Sequence, residues 1–289
     1  MRNLQFLEPQ STQEACHMLA EHGEDCRVIA GGTALILALR QRMLNPTHLV
    51  SLGRLSALRQ IRLDPLHGLC IGALALHADV ARSPLVRQHA PMLADMAGRL
   101  ANPQVRNQGT LGGNLCYADP ATDPPSCLLA LDAHVVLHGR AGERVLPIAD
   151  FLVDFFTTAL AADELLIEIR VAHMAAGTVG VYRRFLRTAA EHRPLVNVAF
   201  TAQLAKGLCQ QPRLAIGAAT PVAHRNRRAE AFLAGKPISQ ELAMQAADIV
   251  AQDASPMSDQ RSSGDYRRDM LRVLTQRSLM AAFGLPTPE

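Results

Sequence analysis

The sequence predicts an α+β protein in two parts, with strands and glycine turns early and helices gathered at the end. Three observations carry that expectation. A strand, a double-glycine turn and a helix follow one another near the start. Period-two apolar segments recur through the middle, and the last third holds amphipathic helices. At 289 residues the chain is also long for a single core.

The elements follow in order. STQEACHMLAEHG offers Ser11 or Thr12 as N-cap, Glu14 in the first turn and Gly23 as a stop, so it reads as one short helix. VIAGGTALILALRQRM reads as a strand at 28–30, a turn at Gly31-Gly32 and a helix from 34 to about 43, ended by Asn45-Pro46. THLVSLGRL and GLCIGAL are short β-like runs that complete a small α/β unit of roughly 55 residues. HADVARSPLVRQHAPMLADMAGRLAN is helical in two pieces, each broken near a proline. PSCLLALDAHVVLHG passes from an apolar helical turn to an alternating strand, and ADELLIEIRVAH alternates as a strand. MAAGTVG reads as a linker. The boundary is expected near 175, giving domains 1–175 (subdomains about 1–55 and 56–175) and 176–289. Beyond it, GVYRRFLRTAAEHRPLVNVAFTAQLA and QPRLAIGAATP are β-type. NRRAEAFLAG, SQELAMQAADIVAQ and GDYRRDMLRVLTQRSLMAAFG are amphipathic helices.

Composition narrows the function. Hydrophobic residues make up 48% and charged residues 19%, which is globular usage. A net charge of +3 argues for neither nucleic acid nor a membrane surface, and 4% aromatics without tryptophan leave no stacking platform for single strands. No apolar run reaches 18 residues, so no transmembrane segment is expected, and MRNLQFLEPQ shows no secretory signal. The six cysteines lie at least ten apart with no C-x-x-C, which argues against zinc or an iron–sulfur cluster on this chain. Free buried thiols in a reducing cytoplasm are expected.

Two glycine blocks are the strongest candidate sites. Ala30-Gly31-Gly32-Thr33 exposes backbone N–H groups without a Cβ in the way, which suits a phosphate; it also suits a plain strand-to-helix connection. Gly109 to Asn114, about 80 residues on, is a second such turn, with the Thr110 hydroxyl and Asn114 amide beside it. Two turns on one ligand would suit a diphosphate, and together they favour a dinucleotide. Asp119 and Asp123 fit either sugar hydroxyls or turn geometry. His134 and His138 alternate on a strand, roughly 13 Å apart, too far for a shared metal. The arginines at 225, 227, 228, 261, 267, 268, 272 and 277 read as solvated helix faces.

VIAGGTALILALR with NPQVRNQGTLGGNLCYADPATDPPSCLLALDAHVVL resembles the FAD-binding medium subunit of molybdenum hydroxylases, the carbon monoxide dehydrogenase and xanthine dehydrogenase family. The similarity runs on through FFTTALAADELLIEIRV, LVNVAF, LAIGAATPVAHR and SDQRSSGDYRRDML. It implies a two-subdomain FAD-binding domain of the vanillyl-alcohol-oxidase (PCMH) type, followed by a C-terminal domain with a small antiparallel sheet and helices. It implies noncovalent FAD, its pyrophosphate on Ala30, Gly31, Gly32, Thr33 and Ala34 and on Thr110, Leu111, Gly112, Gly113 and Asn114. Asp123 matches the aspartate at a cofactor ribose, Leu166 a position near flavin or adenine, and Arg184 a basic position near the ring. Ala34 departs from the acidic or hydroxyl residue common in the first turn, and His192 from a common aspartate.

The resemblance further implies an electron relay. Electrons come from a small [2Fe–2S] subunit that serves a large molybdenum-cofactor subunit, and pass through FAD here to an external acceptor. The assembly is a dimer of heterotrimers in the cytoplasm, with no catalytic or metal-binding residue on this chain. A stand-alone flavin-dependent oxidoreductase and a nucleotide-binding scaffold remain open alternatives.

Overall fold

The computed structural model describes residues 4–188 and 190–286. A three-stranded parallel sheet opens the chain: β1 (Gln5–Leu7), β2 (Cys26–Ile29) and β3 (His48–Ser51), in the order β1-β3-β2. Two helices connect its strands. The first is α1 (Thr12–His22), capped by Ser11 Oγ, which accepts the Glu14 N–H at 3.1 Å, and stopped at Gly23 with φ +51°. The second is α2 (Leu35–Arg40), shorter than the sequence suggests, because Gly32-Thr33-Ala34 remain a turn.

A second, five-stranded antiparallel sheet follows. It comprises β4 (Ile61–Asp64), β5 (Gly68–Gly72), β6 (His134–Gly139), β7 (Gly142–Pro147) and, after the small β8–β9 hairpin, β10 (Leu165–Val171). The order is β4-β5-β10-β6-β7. The hairpin pairs β8 (Leu152–Asp154) with β9 (Thr157–Thr158).

Between β5 and β6 the chain forms α3 (His77–Arg82), α4 (Pro84–His89), α5 (Pro91–Arg99), α6 (Pro103–Arg106), α7 (Leu111–Tyr117) and α8 (Pro124–Ala130); α9 (Ile148–Phe151) follows β7. The proline-broken stretch is thus three helices rather than two. Pro84 and Pro91 each start a helix, where the missing N–H removes no bond. Leu69, Ile71, Leu93, Met96, Leu111, Leu115, Leu128 and Ile169 form the core of this part, all nearly inaccessible.

The last part is one four-stranded antiparallel sheet: β11 (Thr178–Phe185), β12 (Val196–Ala205), β13 (Leu208–Gly217) and β14 (His224–Arg225). Helices α10 (Arg227–Leu233), α11 (Gln240–Asp253) and α12 (Gly264–Ala282) complete it. Phe200, Leu214, Ile216, Leu271 and Leu279 join sheet and helices in a second core.

The expectation of solvated late arginines fails most clearly at Arg267. Arg267 on α12 is 1% exposed. Its Nη1 donates to the carbonyls of Leu195 (3.1 Å) and Ala218 (2.8 Å), and its Nη2 lies 2.6 Å from Asp259. The helical period placed it among surface arginines; tertiary partners hold it inside. Arg225 is also mostly covered, bonded to Glu230 and Asp132.

Candidate functional site

The two glycine turns meet. A Cβ built on Gly31 would stand 2.1 Å from the Gln108 carbonyl oxygen and 2.9 Å from the Gly109 Cα. One on Gly109 would lie 2.9 Å from Val105 O, 3.2 Å from His77 Cδ2 and 3.3 Å from Thr33 Oγ1. Neither position has room for a side chain, so the glycines are there for contact between backbones. Gly32 alone needs the left-handed region, with φ +69°.

The first turn has the features of an anion nest. Among the described residues no acceptor lies on the N–H groups of Gly31, Gly32, Thr33 or Ala34; the first ordered bond, Ile36 N–H to Gly32 O at 2.9 Å, runs past them. Residues 28–36 are all half-buried, so one flank of the turn stays open. Consecutive unpartnered N–H groups on an open flank hold a phosphate without a basic side chain. Helix α2 has six residues, so the local N–H groups matter more than any macrodipole.

The second turn differs. It is the start of α7, whose N-cap Thr110 accepts the Gly113 N–H at 3.0 Å. The Leu111 and Gly112 N–H groups donate to Ala75 O and Ala73 O, both at 2.9 Å, and a Cβ on Gly112 would collide with Ala73 at 2.6–2.9 Å. Leu111 and Gly112 are therefore turned into the core and shape the turn. Gly113 is exposed, its missing Cβ 3.9 Å from that of Ala30, which puts it on the surface of the first turn. Half-buried Asn114 exchanges bonds with Thr122 Oγ1, Nδ2 donating at 2.8 Å. Of the ten turn residues singled out in the sequence, the structure brings Ala30 to Ala34, Thr110 and Gly113 to one place.

Asp123, Tyr182 and Arg184 form a second cluster. Asp123 precedes α8 and is 2% exposed. Tyr182 and Arg184 come from β11, in the C-terminal sheet. The Tyr182 hydroxyl donates to Asp123 Oδ1, and Arg184 Nη1 donates to Oδ2 at 3.1 Å. Arg184 Nη2 donates to the Arg99 carbonyl at the end of α5, and Arg99 Nη2 reaches Tyr182 O at 3.2 Å. Burial pushes the Asp123 carboxyl up, opposed by the Arg184 charge and the Tyr182 hydrogen bond. Burial, with Asp123 beside it, lifts the Tyr182 hydroxyl well above its usual value, so it stays a donor. The cluster latches β11 of the C-terminal sheet to the start of α8 and the end of α5.

Asp119 takes another part: its Oδ1 accepts the Ala121 N–H, and both oxygens accept from Arg193 at 2.7 Å. Leu166 is buried on β10, one residue from Ile167, whose carbonyl accepts the N–H of Ala73, the residue beneath Gly112. It shares the buried core with Leu111 behind the second turn. His134 is exposed and His138 half-buried on β6. Sequence reasoning passed over His77, a buried ring under the Gly109 turn whose pKa burial holds down to about 4. Nothing in its local pattern marks it, because Gly109 is distant in sequence. No helix among the described residues is long and apolar enough to cross a membrane.

Comparison with known proteins gives the family. Residues 2–174 match the family model described as the FAD binding domain in molybdopterin dehydrogenase, and residues 181–282 that of the CO dehydrogenase flavoprotein C-terminal domain. The chain is 32% identical over 275 residues to the carbon monoxide dehydrogenase medium chain of Hydrogenophaga pseudoflava, covering 95% of each. It is 32% identical over 279 residues to the nicotine 6-hydroxylase medium subunit of Paenarthrobacter nicotinovorans, covering 96% of this chain and 97% of that one. The solved structure of a carbon monoxide dehydrogenase from H. pseudoflava that lacks the Mo-pyranopterin moiety superposes with a TM-score of 0.94 at 34% identity, over 98% of both chains.

Proposed function

Since the chain belongs to the family of FAD-binding medium subunits of molybdenum hydroxylases, we propose that it is the electron relay of such a complex. In this reading it takes electrons from [2Fe–2S] clusters on a small subunit that serves a large molybdenum-cofactor subunit. It hands them to an external acceptor, as the medium subunit in each half of a dimer of heterotrimers in the cytoplasm. The observation that supports this most is the junction of the two glycine turns, which leaves four N–H groups on an open flank without acceptors among the described residues.

The residues present fit FAD. Gly31 to Ala34 would hold one phosphate through backbone N–H groups, and exposed Gly113 would let the second approach without a Cβ. Thr110 stays an N-cap and fixes the second turn. Bound FAD supplies the redox chemistry; the protein supplies position and electrostatics. Asp123 and Arg184 neutralise each other and hold the C-terminal sheet against α5, in our reading so that it covers the cofactor on one side. In this reading the two domains divide near residue 175.

The test is direct. The full chain, coexpressed with its partners, should purify yellow and release intact FAD on denaturation. In the complex, substrate should bleach the flavin absorbance and an acceptor should restore it. A colourless chain sinks the cofactor reading. A flavin that stays oxidised while the clusters are reduced sinks the relay and leaves cofactor binding standing.

A further inference from the structure

A cleft of about 520 Å³ opens between α3, α4, α5 and α6, within the range of small-ligand sites. Its lining includes alanines, prolines and Gly98. Its walls carry Arg82, Arg87, Arg99 and Arg106, with Asp95 and Asn107. The one carboxylate is already taken, because Arg99 pairs with Asp95. Among the described residues Arg82, Arg87 and Arg106 have no carboxylate within ion-pair distance. Four arginines against one aspartate give the cleft a formal +3. That equals the formal net charge of the whole chain, so the rest of the protein is balanced.

Two of these arginines are fixed in place by backbone. Arg87 Nε donates to Ala81 O at 3.0 Å. Arg106 Nη1 donates to the carbonyls of Leu100 (2.8 Å) and Ala101 (3.1 Å). Their remaining N–H groups are left for another acceptor. Like charges gathered from four helices and held by hydrogen bonds repel one another unless an anion joins them, and guanidinium forks match phosphate oxygens bidentately.

We propose that this cleft is a second anion site, separate from the glycine turns, and that it takes the phosphate or pyrophosphate group of a small molecule. Arg82, Arg87, Arg106 and Asn107 grip the anion, and the small residues of the lining leave room for the uncharged body. Asn107 lies two residues before Gly109, so the site adjoins the cofactor cradle. The proposal stands on the cleft's own residues and does not need the relay to be right.

The experiment is calorimetric titration of the full chain with sodium pyrophosphate and, separately, inorganic phosphate, at constant ionic strength. Each is run with and without saturating FAD. With FAD occupying the glycine turns, pyrophosphate should bind once per chain and more tightly than phosphate. The double variant R82Q/R87Q should weaken it at least about tenfold while FAD retention and circular dichroism stay those of the parent. R82K/R87K, which keeps the charge but not the fork, should lie between. Absence of saturable binding, equal binding by the double variant, or loss of pyrophosphate binding on FAD saturation would each overturn the proposal. The last would assign the cleft to the cofactor. A chain that takes up no FAD is titrated as it is, so failure of the cofactor reading is seen separately.

Discussion

Gly31 rests against the carbonyl of Gln108 so closely that one added methyl group would reach within 2.1 Å of the oxygen. Two segments about 80 residues apart are thus joined backbone to backbone, and the nest depends on that junction. Gly31→Ala should push the turns apart and leave the chain with little or no FAD, read as the flavin absorbance per protein. Gly32→Ala meets only the ends of Ile29 and Ile36 side chains at 3.3 Å but needs φ +69°. It should lower stability by about 1 kcal/mol and retain more FAD than Gly31→Ala. Equal retention in Gly31→Ala and the parent would disprove the junction's role.

The latch should behave as a coupled unit. Arg184→Met strands a buried carboxylate and should cost about 3–5 kcal/mol in unfolding experiments. Asp123→Asn removes the charge and should cost less, since Tyr182 can still donate to the amide oxygen. The double variant should be milder than the two effects added together. Strict additivity would show that the pair does not interact.

His77 predicts an acid-sensitive fold. Its ring is buried with a pKa near 4, against 6.5 when exposed. The depressed value means the unfolded chain binds the proton more readily. Both states are neutral above about pH 6.5, and the fold loses stability as the pH falls from there through about 4. The loss is about 3 kcal/mol. His77→Gln should flatten this part of the stability profile, and an unchanged slope would remove His77 as its source.

Arg267→Leu should destabilise the C-terminal part strongly, by about 3 kcal/mol. It strands the carbonyls of Leu195 and Ala218. Thermal unfolding would show it, while exposed Arg272→Leu on the same helix should shift the midpoint little. Similar shifts in both would mean that Arg267 contributes no more than a surface charge.

Local chemistry made much of this legible. Ser11 and Gly23 bound α1 as capping rules require, and the prolines at 84 and 91 mark helix starts. The alternation over ADELLIEIRV is β10, and the three late amphipathic segments are α10 to α12. What stayed hidden depends on distant partners. β1 and β4 are strands of three and four residues, too short for a period to show. TLGGNLCY begins a helix inside what reads as a turn, because Thr110 caps it and Ala73 and Ala75 receive its N–H groups. Arg267 looks like its neighbours on the helix until Asp259 and two carbonyls close round it. The resemblance singled out Asp123 and Arg184 separately; only the fold shows them bonded to each other.

The junction of the glycine turns also has a thermodynamic side. A diphosphate needs both turns at once, and an unfolded chain would hold the two apart. A ligand that bridges them therefore binds the native state alone, and by linkage its binding energy adds to the folding energy. At a hundredfold excess over its dissociation constant that is about 2.7 kcal/mol. Supply of the ligand would then govern how much of this chain survives in the cell as well as how much is loaded, making the nest a checkpoint on assembly.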